Sequence, residues 1–289
     1  CVKVTGNNVP IIGELVNPKP ILIRQTKDGT TAINLSTNEL DYELIDKTDS
    51  ATNHLISNQI LNKTNDPVIC YHRSNTIAKL LRGAMVTKCL EIDIVVNNDE
   101  IFVYHPPAKN TGLTLKNVFS SIHNSNINSI WIDGKNLNTS TSCNKFVSYL
   151  KNNKFYKSKI LLEFPSYSHS VRLNIKKCVE ELKKLKNIYR SYYIPTKDVI
   201  ECSKALKKNL SFNKNSYCKS LELDLMEAKN SKLFSDISFN YRGIEAIKNI
   251  NFTQEFKWNT WNLELSQLKE SKKYNFRMLI LNNDDPNNL

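Results

Sequence analysis

Nowhere in the 289 residues do eighteen apolar positions run together, so no segment reads as a membrane-crossing helix. Glycine is scarce, at 7 residues. Neither G-x-G-x-x-G nor G-x-x-x-x-G-K-[ST] occurs, which removes the loops that cradle dinucleotides and nucleoside triphosphates. There are 7 cysteines but no C-x-x-C, so zinc and thioredoxin-like readings have no support. Cys70 and Cys89 fall in apolar runs and Cys178 on the apolar face of a helical pattern; all three read as free buried thiols. Acidic residues are in deficit, 28 against 40 Lys and Arg, for a net charge of +12. The excess is spread. Lys176-Lys177 and Lys183-Lys184 flank apolar Cys178, Leu182 and Leu185, as on a solvated helix face, so nucleic acid is not an expected partner. A basic surface still favours anionic or phosphorylated ligands.

What is present concentrates between Val68 and Pro107. The apolar run Val68–Tyr71 ends on His72-Arg73. Ile77, Leu80, Leu81, Ala84 and Met85 then recur at helical spacing. A second apolar run carries Glu91-Ile92-Asp93, and a third, Ile101–Tyr104, ends on His105. Strand, helix, strand is the unit of parallel α/β folds. Residues i and i+2 of a strand face the same side, so Glu91 and Asp93 present two carboxylates together. Acids that close repel unless a proton or cation lies between them, and a hard oxygen-seeking ion, Ca²⁺ or Mg²⁺, fits that need. His72 and His105 are expected on either side of the pair at the C-terminal strand ends, the active face of a parallel barrel. An outward-facing acidic strand with two solvated histidines explains each residue alone but not the four together.

His72-Arg73, Asn75-Thr76, Glu91-x-Asp93 and His105 resemble the HRG, NT, E-x-D and HD pattern of the glycerophosphodiester phosphodiesterase family, one of the phospholipase C-like TIM-barrel phosphodiesterases. Ser74 stands where that family has Gly, and Pro106 where it has Asp. His105-Pro106-Pro107 followed by Thr114-Leu115 is closer to the menorin family, a divergent branch of the same superfamily. Ser129–Asp133 reads as the third barrel strand, and Asp133-Gly134-Lys135 resembles the family's E-x-K with a shorter acid. Trp258-Asn259-Thr260-Trp261-Asn262 and Asn283-Asp284-Asp285-Pro286 resemble its closing W-T-x-N and T-D-x-P segments. The resemblance implies an α/β fold, a TIM (β/α)8 barrel. It implies metal-dependent hydrolysis of a phosphodiester, either a small molecule or a phospholipid head group. Glu91, Asp93 and Asp133 would hold Ca²⁺ or Mg²⁺. His72 and His105 would be general acid and general base, in either order. Arg73 and Lys135 would bind the phosphate. Trp258 and Trp261 read as walls of the substrate pocket, with plain core as the alternative. The departures at Ser74 and Pro106 also admit a barrel that has lost catalysis and serves as a surface binding lipoprotein.

Residues 1–66 do not fit the barrel pattern. Pro10, Pro18 and Pro20 interrupt short apolar runs, and Lys27-Asp28-Gly29 reads as a turn. They are expected to form an N-terminal extension, a tether with short strands or loops packed on a barrel of residues 67–289. The first residue is Cys1 rather than Met, as in a bacterial lipoprotein after removal of its signal peptide. The reading is an acylated Cys1 that associates with a membrane surface in the cell envelope, a trimmed chain being the alternative. Downstream, Thr114 caps a helix with Leu115, Val118, Phe119 and Ile122 inward. Lys159–Phe164 and Ser191–Ile194 read as strands, with the helix Ile175–Leu185 between them. Leu221–Leu225, Ile237–Tyr241, Phe256–Trp261 and Met278–Leu281 then give one strand too many for eight. Either 221–225 or 237–241 lies outside the barrel, and Glu222 and Asp224 are expected to face outward.

Overall fold

The computed structural model describes residues 67–281 except 98–99, 124, 154–157, 166–168, 209–210 and 213–214, together with the backbone of six short strands before residue 47. These six are β1 (Lys3–Gly6), β2 (Val9–Ile12), β3 (Leu15–Val16), β4 (Lys19–Thr26), β5 (Gly29–Asn34) and β6 (Leu44–Asp46). They pair antiparallel, β1 with β2 and β3 to β6 in sequence order. Cys1, most of the 1–66 extension and the closing Asn283–Pro286 segment lie outside the described residues.

From Val68 onward the fold is mixed α/β, built on a curled, mostly parallel sheet of nine strands. They are β7 (Val68–Cys70), β8 (Cys89–Val96), β9 (Ile101–Val103), β10 (Ser129–Gly134), β11 (Lys159–Phe164), β12 (Ile188–Tyr193), β13 (Asp236–Asn240), β14 (Lys257–Leu263) and β15 (Phe276–Leu281). The order is β7-β15-β14-β13-β12-β11-β10-β8-β9, parallel throughout except for the β8–β9 hairpin. An isolated parallel bridge from Tyr71 to Leu90 joins the end of β7 to β8. There the Tyr71 N–H donates to Cys89 O at 2.9 Å and the Glu91 N–H to Tyr71 O at 2.8 Å.

The sequence dictates this arrangement locally. β8 and β10 are buried along almost their whole length, as strands covered on both faces must be. Ile92, Ile132, Leu162, Ile237 and Trp258 face the surrounding helices, while Cys70, Cys89, Trp131, Leu161, Met278 and Ile280 form a second core on the inner side of the curl. The helices Ile77–Val86 and Leu115–Ile122 start at Thr76 and Thr114, whose hydroxyls each accept a backbone N–H three residues on at 3.2 Å. Gly83 lets the first of these lie close on the sheet, because a Cβ there would run into Leu90 and Tyr71.

Two expectations need correction. Leu221–Leu225 is not a strand but part of the helix Ser216–Ser231. Cys218, Leu221, Leu225 and Ala228 are its buried residues, at helical spacing, and Leu223 stands 67% exposed. Residues 237–241, the other candidate, are the strand β13 and its end. Asp224 accepts a hydrogen bond from the Tyr192 hydroxyl. Cys70, Cys89 and Cys178 are not free thiols either. Cys70–Cys89, Cys143–Cys178 and Cys202–Cys218 form disulfides across Cα separations of 4.4, 6.0 and 4.8 Å.

Candidate functional site

Four carboxylates gather on three neighbouring strands: Glu91 and Asp93 on β8, Asp133 on β10 and Glu163 on β11. The register puts Asp133 opposite both Asp93 and Glu163, so three acids form a row across strands roughly 4.8 Å apart. Carboxylate oxygens of Glu91, Asp93 and Asp133 all lie within 4.8 Å of one another. Such a set of hard oxygen donors fits a divalent cation of the Ca²⁺ or Mg²⁺ type.

The chain leaving β7 brings the next groups. Arg73 adopts a left-handed backbone, φ 50°, which directs its N–H onto Glu91 Oε2 at 2.6 Å. A non-glycine residue held there costs about 1–3 kcal/mol, and such strain collects at functional sites. His72 Nε2 is 3.9 Å from the same Glu91 oxygen. Ser74 takes the family's glycine position without conflict. It is not in the left-handed region, and its hydroxyl donates to Tyr71 O at 3.3 Å. Asn75 clasps Asp93 from both sides, its Nδ2 donating to Oδ2 at 2.6 Å and its Oδ1 accepting the Asp93 N–H at 2.9 Å.

His105 arrives by a different route from the one expected. It does not end a parallel strand. β9 runs back antiparallel along β8, and the Tyr104 N–H donates to Asp93 O at 3.1 Å, which sets His105 beside Asp93. Lys135 reaches across from the end of β10. Its Nζ pairs with Asp93 Oδ1 at 2.8 Å and also with Asp133 Oδ2. A Cβ on the intervening Gly134 would strike the Leu137 side chain, which would have to shift to admit it.

His72, Arg73, Glu91, Asp93, His105, Asp133 and Lys135 thus all line one pocket of about 230 Å³. Trp258 does not. It is fully buried between sheet and outer layer, packed on Phe239 and Phe276, with its Nε1 donating to Thr253 O at 2.8 Å. Strand alternation gives the inner face of β14 to Trp261, which lines the pocket and stacks on Tyr193 at 5.5 Å. Of the two tryptophans expected as walls, Trp261 lines the pocket and Trp258 does not, a choice the alternation of β14 could have made. Sequence reasoning missed Asn75 as the clasp and Glu163 as a pocket acid.

Burial, then the Asp93 charge, pushes Glu91 well above the usual carboxylate range. Burial also raises Asp133 to about 6, against the opposing pull of Lys135. Burial, then Asp133, raises Glu163. For Lys135 burial acts downward, but Asp93 and Asp133 outweigh it and hold the ammonium above its ordinary value. Burial lowers His105, and Lys135 and Arg73 add to that against the opposing Asp93 charge.

These shifts set a stability profile. Asp133 keeps its proton to about 6 when folded, against an ordinary 3.8. The folded state therefore binds more protons in that window, and stability falls as pH rises through it. In chelator-treated protein, the wild type is expected to lose on the order of 2 kcal/mol relative to Asp133→Asn between pH 4 and 6.5. Denaturation at a series of pH values reads this, and parallel profiles for the two proteins would contradict it.

Comparison with protein-family models finds no match, and comparison with curated proteins finds none either.

Proposed function

We propose that the chain is a metal-dependent phosphodiester hydrolase built on a phospholipase C-like (β/α)8 barrel. The observation that carries this is the convergence of three clustered carboxylates, two histidines, Arg73 and Lys135 on one pocket at one end of a parallel sheet. Eight parallel strands with a helix or loop between each, and the Tyr71–Leu90 bridge from the first to the second, support closure of the barrel. The resemblance to glycerophosphodiester phosphodiesterases supports the reaction class.

Glu91, Asp93 and Asp133 would hold the cation, with Asn75 fixing the Asp93 carboxylate. A divalent cation held by them would supply charge to offset a phosphate oxygen and to lower the pKa of a nearby hydroxyl or water. Arg73 and Lys135 offer N–H donors to the remaining phosphate oxygens. His72 and His105 flank the acids, where one takes the proton of the attacking oxygen and the other supplies one to the leaving alcohol. Trp261 and Tyr193 wall the side on which the alcohol would rest. Three disulfides favour an oxidising compartment, which supports a place in the cell envelope or outside the cytoplasm. Among the described residues no helix is long and apolar enough to cross a membrane.

The test is hydrolysis of bis(p-nitrophenyl) phosphate and of glycerophosphodiesters with and without Mg²⁺ and Ca²⁺, comparing wild type with Glu91→Gln. Turnover that needs the cation and disappears in Glu91→Gln is expected. Absence of turnover, with no thermal shift on adding either cation, would move the protein to the rival reading of a surface binding barrel.

A further inference from the structure

Glu163 is only 3% exposed, yet it lines the pocket, and its Oε2 has no hydrogen-bond partner among the described residues. Leaving a buried carboxyl oxygen unsatisfied is unfavourable, so its retention calls for a ligand atom or a reason of that weight. The rest of the side chain is firmly held. Ser238 hydrogen-bonds the carboxyl and shares a 2.5 Å hydrogen bond with Ser191. Asn259 Nδ2 donates to Ser191 Oγ at 3.5 Å and to Asp236 Oδ2 at 3.2 Å, and Arg277 Nε donates to that same Asp236 oxygen at 2.6 Å. This chain leads from the pocket towards the first residues of β13 and β15, and every link is partnered except the free oxygen.

The acid cluster does not include that oxygen. The three clustered acids meet without Glu163, and Lys135 is engaged by Asp93 and Asp133. Glu163 stands one strand beyond Asp133, the outermost of the three, so a phosphate held at the three acids would bring its attached group, rather than itself, towards Glu163.

We propose that Glu163 forms a polar subsite for the alcohol portion of the ligand, its Oε2 exchanging a hydrogen bond with a hydroxyl or primary ammonium a few bonds from phosphorus. This rests on the phosphodiesterase reading and adds a specificity to it. A hydroxyl both donates and accepts, so it satisfies Oε2 as carboxylate or as acid, whereas a trimethylammonium does neither. The walls point the same way. Tyr193 and Trp261 lie parallel, at 7° and 5.5 Å, with their faces turned to each other, while an aromatic cage for a quaternary ammonium needs faces that converge on one point.

Calorimetric titration in Mg²⁺ with glycerol 1-phosphate, n-propyl phosphate and phosphocholine tests this. Wild type is expected to bind glycerol 1-phosphate about tenfold to a hundredfold more tightly than the other two. In Glu163→Leu that ratio is expected to collapse to near one, and in Glu163→Gln, which keeps a donor and an acceptor, to persist in part. The Tm of Glu163→Leu is expected to equal or exceed that of wild type, because an unsatisfied buried oxygen is removed; a purely structural Glu163 would lower it. A wild-type ratio near one, or one unchanged in Glu163→Leu, with phosphodiester turnover intact, overturns the subsite alone. Failure of wild type to bind any of the three and to hydrolyse any diester overturns the subsite and the phosphodiesterase reading together.

Discussion

His105→Ala is expected to lower kcat on a phosphodiester by about 10²- to 10⁴-fold while cation binding and Tm stay near the wild-type values. The reason lies in where His105 sits. It is on a hairpin return beside Asp93, half-buried and outside the carboxylate cluster, so its removal opens no core cavity and takes no cation ligand. Burial depresses its imidazole from the ordinary 6.5, with Lys135 and Arg73 contributing. A neutral imidazole near pH 7 suits a general base, and His72, 3.9 Å from Glu91 Oε2, is then left to act as the acid. The acidic limb of kcat/KM is accordingly expected to bend below pH 6.5 in wild type and to vanish in His105→Ala. His123→Ala, at a helix end away from the pocket, serves as the control. A variant that keeps half its activity, or keeps the same acidic limb, would remove His105 from the chemistry.

The unit from Val68 to His105 was legible because its periodicities are strong and its chemistry sits at strand ends. Helical spacing from Ile77 and the i, i+2 acids on β8 each carry information within ten residues. What was not legible depends on longer range. Leu221-Glu222-Leu223-Asp224-Leu225 alternates like a strand, and only the exposure of Leu223 reveals that the buried set is Cys218, Leu221, Leu225 and Ala228. Cys70 and Cys89 are apolar in context, and their bond follows from β7 and β8 lying side by side, which no spacing encodes. Glu163 looks like any acid late in a strand until its burial and its missing partner are known. Trp258 and Trp261 both read as pocket walls, and only the choice between them was left open. The register between β14 and β15 slips twice, at Trp258/Asn259 and Thr260/Leu263, so the inner face is counted from β14's own alternation and not from its neighbour.

That last case separates into opposite mutational outcomes. Trp258→Ala is expected to destabilise the protein by about 3–5 kcal/mol, a large share of the roughly 5–15 kcal/mol typical of a domain. Its ring is enclosed by Phe239 at 5.8 Å, Phe276 at 5.7 Å and Tyr274 at 5.7 Å, so little around it is free to collapse into the space. Trp258→Phe keeps most of that packing but loses the hydrogen bond to Thr253 O, and is expected to recover more than half of the loss. Trp261→Ala removes a half-buried ring whose main contact is the Tyr193 face, and about 1 kcal/mol or less is expected. Its effect should instead appear in KM for bulky phosphodiesters. Guanidinium denaturation with the disulfides intact, alongside Michaelis kinetics, distinguishes the two residues. If Trp258→Ala proved as stable as wild type and lost ligand binding, while Trp261→Ala unfolded, the inner and outer faces of β14 would be the reverse of those described.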